Sequence, residues 1–179
     1  MASTGFIIAG TGANATGVGT EAWVSPGNVT DDDGVVTQGA PAKDEQMNYI
    51  VGSNFGLSVP GGSTINGIEI RVQAHDASQD ASPSTISHAI VGKSNSTLGN
   101  DLEAGATTLS SSPANYTYGS SSQLWGLNWD STDINASTFQ ARFSMNAEGS
   151  TSAGDPQVDA IWVNVHYTPL IAGLPIYYP

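Results

Sequence analysis

The densest group of ligating side chains is the run Thr30-Asp31-Asp32-Asp33-Gly34, which sets three adjacent carboxylates before a glycine turn. Hard oxygens of this kind suit calcium, but an EF-hand loop needs alternate ligands and a distal Glu, and the spacing here is different. Asp31, Asp32 and Asp33 therefore carry two readings, a weak calcium site and an acidic solvated turn. The three imidazoles, His75, His88 and His166, show no HxH, HxxxH or HExxH spacing, so a histidine metal site has no motif. No serine stands in GxSxG or SxxK, and the chain has no Cys, which removes the familiar nucleophile signatures. Residues 10–15, GTGANA, lack the third glycine of the dinucleotide fingerprint. Glycosidase carboxylates meet only in the fold, so the sequence alone marks no such pair. The expectation is no catalytic residue and no cofactor.

Aromatic residues offer a different chemistry, because exposed Trp and Tyr rings stack on sugars and partner proteins. Tyr116, Tyr118 and Trp125 fall with Trp129 in one stretch, NYTYGSSSQLWGLNWDSTDIN. Two readings stand side by side, core plugs or loop anchors and a glycan platform of Tyr116, Tyr118 and Trp125. The C-terminal run PLIAGLPIYYP is apolar and holds three prolines. Leu170, Ile171, Leu174, Ile176, Tyr177 and Tyr178 form either a strap on their own domain or a partner interface. Pro169 and Pro175 disfavour a central strand there.

Charge narrows the partners. Sixteen acidic against four basic residues give a formal net charge of -12, which repels phosphate backbones and anionic lipid. Neither nucleic acid nor a membrane is an expected partner. With 11% charged residues, the surface is built from Ser, Thr, Asn, Gln and Gly. The N-terminus has no basic segment, and its apolar run, residues 6–9, is short for a signal peptide or membrane span. The chain is expected to be made in a cytoplasm. Five N-x-Ser/Thr sequons, at Asn14, Asn28, Asn95, Asn115 and Asn135, read as chance in an Asn/Ser/Thr-rich chain.

The elements that would position these groups are strands. Period-two alternation dominates, and no long stretch carries an apolar helical face. Residues 67–76 alternate Ile68, Ile70, Val72 and Ala74 with polar neighbours. Residues 55–59 and 139–147 do the same through Phe55, Leu57 and Val59 and through Phe139, Ala141, Phe143 and Met145. In residues 158–168, Ile161, Val163, Val165 and Tyr167 face a core, with Trp162, Asn164 and His166 opposite. Weaker strands are expected at 21–24, 34–38, 47–52, 86–92 and 107–110, and a short helical turn at 133–137 capped by Ser131 or Thr132. Short strands with Gly- and Pro-rich turns and no crossover helix predict an all-β antiparallel sandwich, jelly-roll-like, of about eight or nine strands. Residues 21–168 form the domain, between an N-terminal arm at 1–20 and a C-terminal arm at 169–179.

Four ordered blocks carry a resemblance. AWVSPGNV with DDDG (22–34), NYIVGSNFGLSVPGGSTINGIEIRV (48–72), YGSSSQLWGLNWDSTDINASTFQARFS (118–144) and VDAIWVNVHYT (158–168) resemble a β-sandwich domain of tailed-bacteriophage virion proteins and related prophage or bacterial surface proteins. Leu57 stands where a second aromatic is common. The resemblance implies a non-enzymatic virion structural protein, most simply a capsid decoration (cement) protein. Such a protein would bind the major capsid protein or other virion subunits through its terminal arms, as a homo-oligomer for which a trimer is plausible, and reside in the virion. The alternative is a tail or fibre accessory or a carbohydrate-binding host-adhesion module.

Overall fold

The computed structural model describes residues 1–78, 83–103, 105–147 and 154–170. Two antiparallel sheets pack face to face. The first contains β1 (Ala2–Ser3), β2 (Ile7–Ile8), β4 (Thr37–Gln38), β6 (Thr64–Asp76), β10 (Ala114–Gly119) and β12 (Pro156–Thr168). The second contains β3 (Thr11–Ala15), β5 (Tyr49–Ser53), β7 (Thr85–Ser94), β8 (Thr97–Leu98), β9 (Thr107–Thr108) and β11 (Gln140–Asn146). Along the first sheet the order is β1, β12, β6, β10; along the second it is β3, β5, β11, β7, β8. The all-β sandwich expected from alternation is what the chain forms. Among the described residues no helix is long and apolar enough to cross a membrane.

Alternation explains the core. Ile68, Ile70 and Val72 of β6 and Ile161, Val163 and Val165 of β12 are buried against Ile50, Ala141, Phe143, Met145, Ile86 and Val91 of the opposing sheet. Each large side chain removed from water contributes roughly 1.5–3 kcal/mol. Between Ser144 and Met145 the register of β11 on β7 shifts by one residue. That bulge lets Ile86 and Ala89 both face inward and leaves His88 on the outer face.

The first fifteen residues are not an arm. Ala2 and Ser3 pair with Tyr167 and His166, and Ile7 and Ile8 pair with Val163 and Trp162, on the edge of β12 that β6 leaves open. The chain then changes sheets, and β3 runs antiparallel to β5 from Thr11 opposite Ser53 to Ala15 opposite Tyr49. The segment shows no sustained alternation, which hid its role of covering sheet edges through backbone hydrogen bonds. A side chain at Gly12 would put its Cβ 2.0 Å from the Pro26 carbonyl oxygen, so only glycine lets β3 pass the 3-10 turn at Pro26–Val29.

Two other expected elements take different forms. Phe55, Leu57 and Val59 are buried as the alternation requires, but residues 55–59 belong to no sheet. Asn135 replaces the missing neighbour: Val59 N–H donates to its Oδ1 at 2.8 Å, and its Nδ2 donates to the Val59 carbonyl at 2.9 Å. Residues 21–24 make only isolated bridges, Glu21 to Met47 and Val24 to Gln38. The helical turn is α1 (Ser131–Asn135), starting two residues before the expected 133–137, and its cap is Asp130, whose carboxylate accepts from Thr132 and Asp133 N–H while Asp133 reaches back to the Asp130 N–H.

Candidate functional site

The outer face of the second sheet is organised around β11. Register sets Arg142 between Val51 of β5 and Ile90 of β7, and Gln140 between Ser53 and Gly92. Ala13 lies opposite Val51, and Ala15 opposite Tyr49. Tyr49, Val51 and Ile90 form a small apolar cluster, separate from the main core, with Ala15, Val18 and Leu98 packed around it. Of this cluster, Val51 and Ala15 form, with Ala13, the apolar floor of an open groove of about 550 Å³.

Polar side chains rise around that floor. Ser53, Ser94, Ser96, Ser137 and Thr138 line the groove with Asn14, Asn95 and Gln140. A neighbouring hollow of about 320 Å³ shares Asn14, Ala15 and Asn95 and reaches Arg142. Among the described residues no acid lines either space.

The carboxamides are held in one orientation. Asn14 Oδ1 accepts from the Trp23 backbone N–H at 3.0 Å, Asn95 Oδ1 accepts from Arg142 Nη2 at 2.7 Å, and Gln140 Oε1 accepts from Arg142 Nε at 3.1 Å. Each partner is a donor only, so each amide must present its oxygen inward. Its amino nitrogen then has no protein acceptor among the described residues. The groove thus offers fixed N–H donors beside hydroxyls that both donate and accept.

Arg142 is 3% exposed and lies over the Tyr49 ring, its Cζ 5.4 Å from the ring centroid. Burial pulls its pKa down from the ordinary value. Burial, then the charge of Asp101, pushes the Tyr49 phenol up, while Arg142 opposes the shift. Asp101 is engaged elsewhere, accepting from the Ala89 and Glu103 N–H groups at 2.9 and 3.0 Å and pairing with His88. His88 in turn meets the Tyr49 ring edge-on at 5.9 Å between centroids.

No family profile and no curated protein matches the chain. Among solved structures it is similar to a crystal structure with xylogluco-oligosaccharide, at a TM-score of 0.50 and 11% identity over 88% of this chain. The chain spans 38% of that one's length. It is also similar to a structure described as "CBM4 structure and function" (TM-score 0.43, 17% identity, 90% of this chain and 95% of that one). A third is a "xylan-binding module CBM15" (TM-score 0.43, 14% identity, 86% and 88%). At these identities the likeness is one of fold. The shared fold is a β-sandwich.

The residues singled out in the sequence lie elsewhere on it. Trp125 is fully buried and donates from Nε1 to the Ile68 carbonyl at 2.9 Å. It is a core plug and cannot stack on a ligand; a left-handed backbone at φ 59° folds its ring inward. Tyr116 and Tyr118 stand on β10 of the first sheet, half-buried and packed on the main core. The Tyr116 hydroxyl accepts from Ser110 N–H at 2.8 Å, and the Tyr118 hydroxyl donates to Glu103. Burial, followed by that bond to Glu103, raises the Tyr118 phenol well above its usual range. Both rings are occupied as anchors, and the three aromatics do not form a platform.

Asp31, Asp32 and Asp33 are exposed. Asp31 Oδ1 accepts from Asp32 N–H at 3.0 Å, Asp33 Oδ1 accepts from Val35 N–H at 2.9 Å, and the buried Asp159 accepts from Gly34 N–H. Burial of Asp159 raises its pKa despite the Gly34 bond, and the charges of Asp32 and Asp33 add to the rise. Among the described residues, no group of three His, Asp or Glu side chains is placed to hold a metal ion. Of the tail, Leu170 is described and 70% exposed; Ile171, Leu174, Ile176, Tyr177 and Tyr178 lie outside the described residues.

The groove residues carried no motif. Asn14, Ser53, Asn95 and Gln140 come from four separate strands and turns, and only the pairing register brings them together. Arg142 was the one available signal: an arginine at an alternating position beside Phe143, in a chain with four basic residues.

Proposed function

We propose that the protein is a non-catalytic carbohydrate-binding module whose site is the groove over β3, β5, β11 and β7. One observation carries the reading: donor-presenting Asn14, Asn95 and Gln140 beside serine and threonine hydroxyls, above an apolar floor. Sugar rings present hydroxyls that need fixed donors and acceptors, and C–H faces that need an apolar surface. Among the described residues the groove lining contains no Asp, Glu, His or Cys, which supports binding without acid–base or nucleophilic chemistry there. The sandwich fold shared with a protein crystallised with a xylogluco-oligosaccharide is compatible with this reading. Affinity electrophoresis against neutral and uronate-bearing plant and bacterial polysaccharides is the direct screen. Retardation of the wild type that Asn95→Ala abolishes supports the proposal; no retardation on any polysaccharide contradicts it.

A second reading, a virion component such as a capsid decoration or tail accessory protein, rests on the four resembling blocks and on the exposed Leu170. In it the apolar tail docks on a capsid or neighbouring subunit, and burial there contributes about 25 cal/mol per Å². Truncation after Thr168 should weaken assembly while leaving the sandwich folded. The two readings are compatible, since a particle subunit can also display a glycan groove.

A further inference from the structure

Arg142 lines the hollow beside the groove. A guanidinium has five N–H donors and a fixed positive charge. Two donors go to neutral amide oxygens, Gln140 Oε1 and Asn95 Oδ1. The other three have no acceptor among the described residues, and no ion pair is made by Arg142 there. The residue is nine-tenths buried yet lines the hollow that joins the groove. Buried charges are normally paired, because an isolated one costs far more than its neutral hydrogen bonds return. In a chain of net charge -12, carboxylates are plentiful, yet none pairs with this arginine among the described residues.

From this we infer that the groove binds an acidic sugar, with the Arg142 guanidinium receiving the carboxylate of a uronic acid within an otherwise neutral glycan. This inference rests on the carbohydrate-binding reading and names its ligand class. The planar fork of the guanidinium matches a carboxylate and can engage both oxygens. Tyr49 beneath it and the bonds to Gln140 and Asn95 hold the fork in place before ligand arrives, so little ordering is required on binding. Among the described residues the lining offers one cation, Arg142. A single uronate among neutral sugars therefore fits better than a densely charged polyanion, which the chain's overall charge would repel.

The test is a matched pair of probes: a neutral oligosaccharide carrying one glucuronic acid, and the same molecule after reduction of its carboxyl to a primary alcohol. Calorimetry should give the acidic form at least a tenfold tighter Kd, about 1.4 kcal/mol, with a preference that shrinks as salt rises. In Arg142→Met, which keeps the stem that packs between Val51 and Ile90, the ratio of the two affinities should fall to one. If that variant does not fold, the wild-type ratio and its salt dependence decide alone. Equal binding of both probes by the wild type overturns the uronate assignment and leaves the glycan site standing. Failure of both probes, with no polysaccharide bound in the screen above, overturns the glycan site itself and the inference with it.

Discussion

The Arg142 guanidinium sits over the Tyr49 ring on the outer face of the second sheet, each residue supporting the other where the sheet would ordinarily be wet. The ring shields the charge from below, while Val51 and Ile90 flank its stem. Removing the ring should therefore unsettle the groove without opening the main core. Tyr49→Ala is expected to cost about 2–4 kcal/mol in urea unfolding, near the lower part of the range for large-to-small changes because the site is at the surface of the sandwich. Tyr49→Phe keeps the ring and should stay within about 1 kcal/mol of the wild type. A large loss in Tyr49→Phe would show that the hydroxyl, rather than the ring, supports the arginine.

Asn135 stands in for a strand. Its carboxamide satisfies both the N–H and the carbonyl of Val59, in a segment whose side chains are buried. Asn135→Ala leaves both groups unpaired, and each buried orphan costs about 1–3 kcal/mol. Asn135→Asp keeps the acceptor and loses the donor, so its midpoint in a denaturant titration should fall between those of the wild type and the alanine variant.

Asp76 makes stability depend on acid. Burial alone would raise its pKa, but hydrogen bonds from Ser78 and Ser84 outweigh burial and hold the carboxyl below its usual value. A carboxylate depressed in the folded state contributes stability above the unfolded pKa of about 3.9, and that contribution is lost as pH falls through the lower folded pKa. Unfolding free energies measured from neutral to acid pH should show Asp76→Asn well below the wild type at neutrality and converging with it below about pH 4. Parallel curves across that range would remove Asp76 from the acid response.

Much of the fold was legible because alternation is a direct image of a sandwich with one buried face per sheet. Ile68, Ile70 and Val72, and Ile161, Val163 and Val165, are buried as their spacing requires. The edges were less legible. β1 and β2 are two residues each, too short for any periodicity to mark them. Residues 55–59 show the converse, since buried alternation guaranteed an extended path but not a neighbouring strand. At the site, aromatic type was a poor guide. Trp125 is inside because a left-handed turn directs it there, and Tyr116 and Tyr118 are spent on anchoring loops. Asn14, Asn95 and Gln140 were unreadable because amides occur throughout this chain, and only the pairing register and the Arg142 bonds bring these three to one groove.

The most direct measurement of the central claim is a heteronuclear NMR titration of the protein with a polysaccharide fragment that it retains. The account predicts that the side-chain amide signals of Asn14, Asn95 and Gln140 and the backbone signals of Ser53 and Ser137 move together along one saturable curve, while those of Tyr116 and Tyr118 stay fixed. Shifts confined to β10 and its loops, with the three groove amides unmoved, would contradict it.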